Sequence, residues 1–154
     1  MTSIGNKVIN ILIVCTLLLS GSCTPGSCFE ETNAYVKASF YLETTGKLSA
    51  PDSLTLYGIG IDSIRYKKAS RVQPALIPLN AADEKCGFVI RINGINDTLS
   101  FFYSTYTHLI SKECGYTFYH DLDSVYSTRH NIDSLIIKLR SVTTIDAPNI
   151  YIYY

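Results

Sequence analysis

The sequence predicts an all-β fold: a single antiparallel β-sandwich, immunoglobulin-like or transthyretin-like, with about seven to nine short strands. The composition supports this prediction, because the chain has twelve Tyr, no Trp and many Ile, Val and Thr, residue types that favour pleated, half-buried surfaces. Apolar and polar residues alternate with period two in several segments, and no segment sustains a helical period. Turn residues separate these segments at regular spacing.

Two paired strands are predicted in the central segment, residues 97–120. Leu99, Phe101 and Tyr103 fall on one face of the first strand, because successive side chains of a strand point to opposite faces. The alternation breaks around Cys114 and then resumes, so this cysteine lies at the entry to the second strand.

Three strands are predicted before this segment from alternating apolar residues, in residues 33–42, 54–61 and 64–66. Gly58 and Gly60 within the second strand indicate a bulge or a close approach of the backbone. The basic residues 67–71 are expected to form a loop.

The segment 75–77 is flanked by prolines and is therefore predicted to be an edge strand, where a missing donor does little harm. Residues 88–92 alternate and lead into Asn93-Gly94, which is a hairpin signal. After His120, residues 121–131 are polar and rich in turn residues. Two more strands are predicted from their apolar patterns, in residues 132–142 and 149–154.

The chain divides into a signal peptide at residues 1–22, a tether at residues 23–33 and the sandwich at residues 34–154. Lys7 is the only charge in the first segment, and an almost unbroken apolar run, residues 8–19, follows it. This run is shorter than the roughly 20 apolar residues that a transmembrane helix needs. The tether contains Pro, Gly, Ser and acidic residues without periodicity.

Residues 19–23, Leu-Ser-Gly-Ser-Cys, resemble a bacterial lipoprotein box, in which the cysteine thiol receives a diacylglycerol. Cys23 is therefore expected to be lipidated. The lipid would anchor the protein in a membrane, which is thus an expected partner. The sequence departs from the usual box in that Leu19 lies four residues before the cysteine rather than three. The alternative is simple secretion with Cys23 left as a thiol.

Thirteen basic and thirteen acidic residues give a net charge of zero. A chain without a basic surplus lacks the electrostatic footprint that nucleic-acid binding requires, so no nucleic-acid partner is expected.

Three cysteines, Cys28, Cys86 and Cys114, remain after export and lipidation. Three thiols cannot all pair internally, so one disulfide and one buried thiol are expected. No two of them have a ligand-like C-x-x-C spacing and the histidines are scattered, so neither a metal site nor a cofactor is expected.

The sequence also resembles a family of uncharacterised Bacteroidetes lipoproteins. The residues that carry the likeness are 28–32, 36–41, 54–60, 77–80, 97–101 and Ser-Lys-Glu-Cys-Gly-Tyr at 111–116. In that family, a cysteine just after the anchor and another in a Ser-x-x-Cys-Gly-Tyr motif recur. The resemblance therefore implies that Cys28 pairs with Cys114 and that Cys86 is the odd cysteine.

The family has no assigned activity, and some members are encoded beside a predicted outer-membrane barrel protein, which implies an accessory role to such a partner. Some Bacteroidetes lipoproteins carry acidic residues directly after the lipidated cysteine, a feature that sends them to the cell surface. Here Thr-Pro-Gly-Ser occupies that position, at residues 24–27. The resemblance therefore implies an outer-membrane location, with a periplasm-facing orientation favoured over the cell surface.

Five Asp residues begin Asp-Ser/Thr-aliphatic triplets, which match the acceptor pattern for O-glycosylation of exported Bacteroidetes proteins. The acceptor hydroxyls belong to Ser53, Ser63, Thr98, Ser124 and Ser134. The alternative explanation is structural, because Asp ends turns and Ser or Thr opens strands.

No nucleophile elbow, H-E-x-x-H motif or phosphate-binding glycine loop occurs, so no catalytic residue is identified and an enzyme is the least favoured class. The expected function is binding or scaffolding in the cell envelope. The alternative is a carbohydrate-binding or other ligand-recognition module that uses the Tyr-rich strand faces.

Overall fold

The structure is a computed structural model that describes residues 28, 30–61 and 64–154. The predicted signal peptide, Cys23 and the candidate acceptor Ser63 lie outside the described residues. The described chain forms ten strands: β1 (Tyr35–Tyr41), β2 (Leu54–Gly58), β3 (Ile64–Ala69), β4 (Ala75–Pro78), β5 (Lys85–Ile92), β6 (Ile95–Ser111), β7 (Gly115–Ser127), β8 (Ser134–Ile137), β9 (Ser141–Val142) and β10 (Ile150–Tyr153).

The strands form two sheets. One has four strands in the order β4-β1-β10-β8, and the other has six in the order β3-β2-β5-β6-β7-β9. Every strand pair is antiparallel except β1–β10, which is parallel. The prediction of an all-β sandwich is confirmed, with one strand more than expected. The purely antiparallel pattern is wrong for β1–β10, because β10 enters this sheet from β9 of the other sheet and not through a hairpin from β1.

The core lies between the two sheets and follows from the period-two alternation. Val36, Ala38 and Phe40 of β1 are fully buried, as predicted for the first strand. The four-stranded sheet also contributes Ala75, Ile77, Ile150 and Ile152, and the six-stranded sheet contributes Leu54, Leu56, Phe88, Ile90, Ile92, Leu99, Phe101, Tyr103, Leu122 and Val142.

The β5–β6 hairpin is confirmed at the predicted turn. Ile92 pairs with Ile95 across a two-residue loop, in which Asn93 and Gly94 have φ angles of 50° and 96°. A two-residue hairpin loop of this type needs positive φ at both positions, which Asn and Gly adopt at low cost. The proline-flanked edge strand is also confirmed, since β4 lies at the end of its sheet.

Two predictions around β2 and β3 are wrong. The second strand ends at Gly58, and Ile59 and Ile61 are exposed in the turn that follows, because Gly60, with a φ of 76°, allows the chain to turn there. The basic segment 67–71 is not wholly a loop, since Lys67 to Ala69 belong to β3. This strand is the edge of its sheet, where lysine side chains are common because they discourage pairing with another chain.

Two predictions in the C-terminal third are also wrong. Residues 121–131 are not entirely a turn region, because β7 continues to Ser127. The single strand predicted in residues 132–142 is two strands, β8 and β9, which belong to different sheets. The Asn149 carbonyl accepts the backbone N–H groups of Lys138 and Leu139 where the chain crosses between the sheets.

The β6–β7 hairpin extends beyond the sandwich. The pairing of β5 with β6 ends at Lys85 and Phe102, and the pairing of β7 with β9 involves only His120 and Asp121. Residues 104–119 therefore form a two-stranded ribbon, which we call the arm, and no strand of the described part of the chain lies beside it. Its eight residues on the β6 side reach about 26 Å at ~3.3 Å per residue.

Candidate functional site

The tip of the arm is joined covalently to the N-terminal segment. Cys28 forms a disulfide with Cys114 in the turn of the arm, with a Cα–Cα distance of 4.8 Å. The pairing implied by the family resemblance is therefore confirmed, and Cys86 is the free cysteine. Cys114 lies at the entry to β7 as predicted, at the far end of the arm.

The N-terminal segment then follows the arm back to the sandwich. The Thr117 hydroxyl donates a hydrogen bond of 2.5 Å to the Thr32 carbonyl, and β1 begins three residues later. The Glu31 carboxylate accepts the backbone N–H of Asn33, and this hydrogen bond lowers the pKa of Glu31. Cys28 and Thr32 are thus held beside the arm, by a disulfide to Cys114 and by a hydrogen bond from Thr117 of β7.

One face of the arm exposes a group of apolar side chains near the tip. Leu109 and Tyr116 are directly opposite each other in the β6–β7 register, and Phe118 lies two residues further along β7 on the same face. Their exposed fractions are 48%, 73% and 50%. The sequence pattern placed Tyr116 and Phe118 on one strand face, but it gave no signal that they would be exposed or that Leu109 lies opposite Tyr116.

The base of the arm is packed. Tyr119 is buried, stacks on His108 with ring centroids 4.4 Å apart, and its hydroxyl lies 3.1 Å from the Thr144 hydroxyl. The His120 ring is buried, and its Nδ1 lies 2.8 Å from the Thr105 hydroxyl. Burial lowers the pKa of His120, so this histidine is neutral at pH 7 and serves as a packed hydrogen-bonding group.

A cleft of about 630 Å³ opens at the end of the six-stranded sheet from which the arm extends. Its lining includes Arg65, Asp83, Lys85 and the half-buried Cys86. Burial raises the pKa of the Cys86 thiol, which keeps it protonated near pH 7. The cleft therefore combines charged side chains with a thiol that is protonated near pH 7.

Tyr103 binds the backbone of Asn80, which is one of the residues that line the cleft. Its hydroxyl donates to the Asn80 carbonyl at 2.8 Å and accepts the Asn80 backbone N–H at 3.0 Å. Burial raises its pKa, so the phenol stays protonated. This residue fixes the loop that borders the cleft.

Asp97 is the most extensively bonded carboxylate in the described chain. It is buried and accepts hydrogen bonds from the Thr128 hydroxyl and from the backbone N–H groups of His130, Asn131 and Ile132, at 2.7 to 3.0 Å. Burial alone would raise the pKa of Asp97, but these hydrogen bonds outweigh burial and lower it. Asp97 thus has a structural role, since it lies inside β6 and holds residues 128–132.

The other described acceptor residues lie in different places. Ser53 precedes β2, and its backbone N–H donates to the side-chain Oδ1 of Asn93 while its carbonyl accepts the Asn93 backbone N–H. Ser124 is in β7 opposite Phe102, and Ser134 begins β8. These serines and Thr98 are all partly exposed. The structure does not bring them together into one site.

The described residues contain neither a cluster of metal-binding side chains nor a membrane-spanning helix. No group of three or more His, Cys, Asp or Glu side chains is arranged to hold a metal ion in this part of the chain. Within the same residues, no helix has the length and apolar character to cross a membrane.

No curated protein and no solved structure matches the chain. The model of a family of unknown function, DUF6452, matches residues 53–154, about two thirds of the chain. The matched region includes β2 to β10, the arm and Cys114, whereas β1 and Cys28 precede it. The chain therefore belongs to the family of unknown function DUF6452.

Proposed function

We propose that this protein is an exported, lipid-anchored accessory protein of the cell envelope with a non-catalytic binding or scaffolding role. The observation that carries the proposal is the Cys28–Cys114 disulfide. Structural disulfides persist in oxidising compartments, as expected for an exported chain. The bond also lies five residues after Cys23, so it ties the fold closely to the proposed lipidation site.

The proposed location is the outer membrane, with the sandwich facing the periplasm. Support for the anchor comes from the apolar run and the Leu-Ser-Gly-Ser-Cys box that precede the described residues. The periplasmic face is favoured over the cell surface because residues 24–27 are not acidic. The proposed partner is an outer-membrane β-barrel protein, for which the cleft offers an exposed binding surface.

The anchor is tested by replacing its thiol. Cys23→Ser should release the protein into the soluble periplasmic fraction, whereas Cys86→Ser, which also removes one cysteine, should leave it with the membranes. Intact mass of the wild type should show the added acyl groups. A Cys23→Ser protein that stays with membranes, together with a wild type that carries no acyl mass, would refute the anchor.

The partner is tested by crosslinking in native envelopes, followed by purification and mass spectrometry. We expect an outer-membrane barrel protein to be crosslinked to residues of the cleft. Lys85, which lines the cleft, is a suitable amine attachment point. Recovery of the protein without any crosslinked barrel would refute the accessory role.

Ligand recognition is the second candidate function. Phe102 and Tyr126 are exposed neighbours on the outer face of the six-stranded sheet, with ring centroids 5.9 Å apart. Exposed aromatic rings of this kind can stack on sugars. Isothermal titration against a glycan panel tests this candidate, with Tyr126→Ser as the control, and the absence of heat for every glycan would exclude it.

We also propose that exposed members of the Asp-Ser/Thr triplets carry O-linked sugar. Ser124 is the best supported position, because Asp123 beside it is exposed and the serine lies on the open outer face of the sheet next to Phe102. Thr98 is the least supported, since a glycosyltransferase cannot reach the buried Asp97 carboxylate in the folded protein.

A further inference from the structure

We infer that the tip of the arm rests on the lipid bilayer, with Leu109, Tyr116 and Phe118 in contact with the boundary between head groups and acyl chains. This inference rests on the proposed lipid anchor and adds to it a surface of the folded domain that touches the membrane. The first observation is the length of chain between the proposed lipid anchor and the first residue that is bonded to the fold.

The disulfide makes that length short. A fully extended chain spans at most ~3.6 Å per residue, so the five residues from Cys23 to Cys28 reach about 18 Å. If the first fixed point were Tyr35, twelve residues after Cys23, the reach would be about 43 Å. The bond to Cys114 therefore keeps the arm tip within a short distance of the lipid.

The side chains at the tip suit a membrane interface. Leu109, Tyr116 and Phe118 lie on one face and are about half exposed or more. Single exposed apolar residues are normal on soluble proteins, but a group on one face marks an interaction surface. Tyr is also enriched at membrane interfaces, because its ring is apolar and its hydroxyl reaches the head groups.

Charge and backbone chemistry set the depth of this contact. Lys112 and Glu113 in the turn have opposite charges, and Glu30 nearby adds a negative charge, so attraction to anionic lipid does not hold the tip. The arm is an open ribbon whose edges carry unpaired backbone groups, which cannot enter the hydrocarbon core. The contact is therefore shallow and insensitive to salt.

The test uses tryptophan as a reporter, since the chain contains none. Tyr116→Trp places it at the tip, and Tyr126→Trp is the matched control on the same strand, with exposed fractions of 73% and 61% for the original tyrosines. The two positions are about 33 Å apart at ~3.3 Å per residue. Both lipidated full-length proteins are bound to vesicles of phosphatidylethanolamine and phosphatidylglycerol that contain brominated phosphatidylcholine.

We expect both variants to float with the vesicles, and the bromolipid to quench and blue-shift only the Tyr116→Trp emission, with the same result at high salt. Flotation without quenching at the tip, or equal quenching in both variants, would overturn the bilayer contact while leaving the anchor intact. Failure to float would overturn the anchor and this inference together.

A protein occupant gives a different result. In that case the Tyr116→Trp emission would be unquenched on protein-free vesicles, and Lys112 at the tip would crosslink to a protein in native envelopes. That outcome would also overturn the bilayer contact.

Discussion

Asp97→Ala should be one of the most destabilising single substitutions in the sandwich. The change removes the acceptors of three consecutive backbone N–H groups, from His130 to Ile132, and of the Thr128 hydroxyl. An unsatisfied buried donor costs about 1–3 kcal/mol. Ile132 is fully buried, whereas His130 is exposed and its N–H can bond to water, so we expect a loss of about 3–5 kcal/mol.

Thermal unfolding followed by circular dichroism measures this loss, which corresponds to a fall in Tm on the order of 10 °C for a domain of this size. Asp133→Ala is the matched control, because Asp133 begins the same kind of triplet but is exposed, and its effect should stay within about 0.5 kcal/mol. Equal effects of the two substitutions would refute the structural role of Asp97.

The same carboxylate gives a pH dependence with a defined sign. Its folded-state pKa is lower than the ordinary value of about 3.9, so its contribution is fully present above that value and is lost as the pH falls through the folded-state pKa. The stability difference between wild type and Asp97→Asn should therefore be constant near neutral pH and shrink below about pH 4. A difference that does not change down to acid unfolding would contradict the lowered pKa.

Three further predictions follow from the cysteines and the acceptor residues. Replacing Cys28 and Cys114 together by Ser should lower the free energy of unfolding by about 4.6 kcal/mol, according to the chain-entropy model for a separation of 86 residues. An unchanged Tm would argue against this stabilising role of the disulfide. Cys86 should react with iodoacetamide only after unfolding, and rapid native alkylation would contradict its raised pKa and burial. Protein purified from the native host should have an intact mass increased by attached sugar, and the Ser124→Ala variant should show a smaller increase. An unmodified intact mass would exclude glycosylation and leave the structural explanation of the triplets. The candidate positions for peptide mapping are Ser53, Ser63, Thr98, Ser124 and Ser134.

The strands predicted correctly are those in which local pattern and tertiary environment agree. β1 alternates strictly because one of its faces meets the core, and the β5–β6 turn is set by Asn93 and Gly94 alone. The extension of β7 was missed because Asp123 is an extra residue between the pairs Phe102–Ser124 and Tyr103–Leu122. This bulge turns both Leu122 and Val125 towards the core, three residues apart, which breaks period two and makes the segment resemble a turn.

The division of residues 132–142 had no sequence signal. No Gly or Pro separates β8 from β9. The crossing is stabilised from a distance by Asn149, whose side-chain amide donates to the carbonyls of Leu139 and Ser141. The candidate site could be predicted only in part. The family resemblance identified the pairing of Cys28 with Cys114. The projection of the arm could not be predicted, because it depends on where β5 and β9 end.

The disulfide also determines how the fold responds to tension. When the N-terminal end of the chain is pulled, the force enters through Cys28 into the turn at Cys114 and not through Tyr35. It then acts along β6 and β7, which are paired with each other over the arm, and β6 is paired with β5 over the whole length of that strand. Hydrogen bonds loaded together in shear resist more than bonds opened one at a time, so the largest sheet carries the strain while β1 stays relaxed in the core. Reduction of this one bond would shift the force to β1, which is paired in parallel with β10.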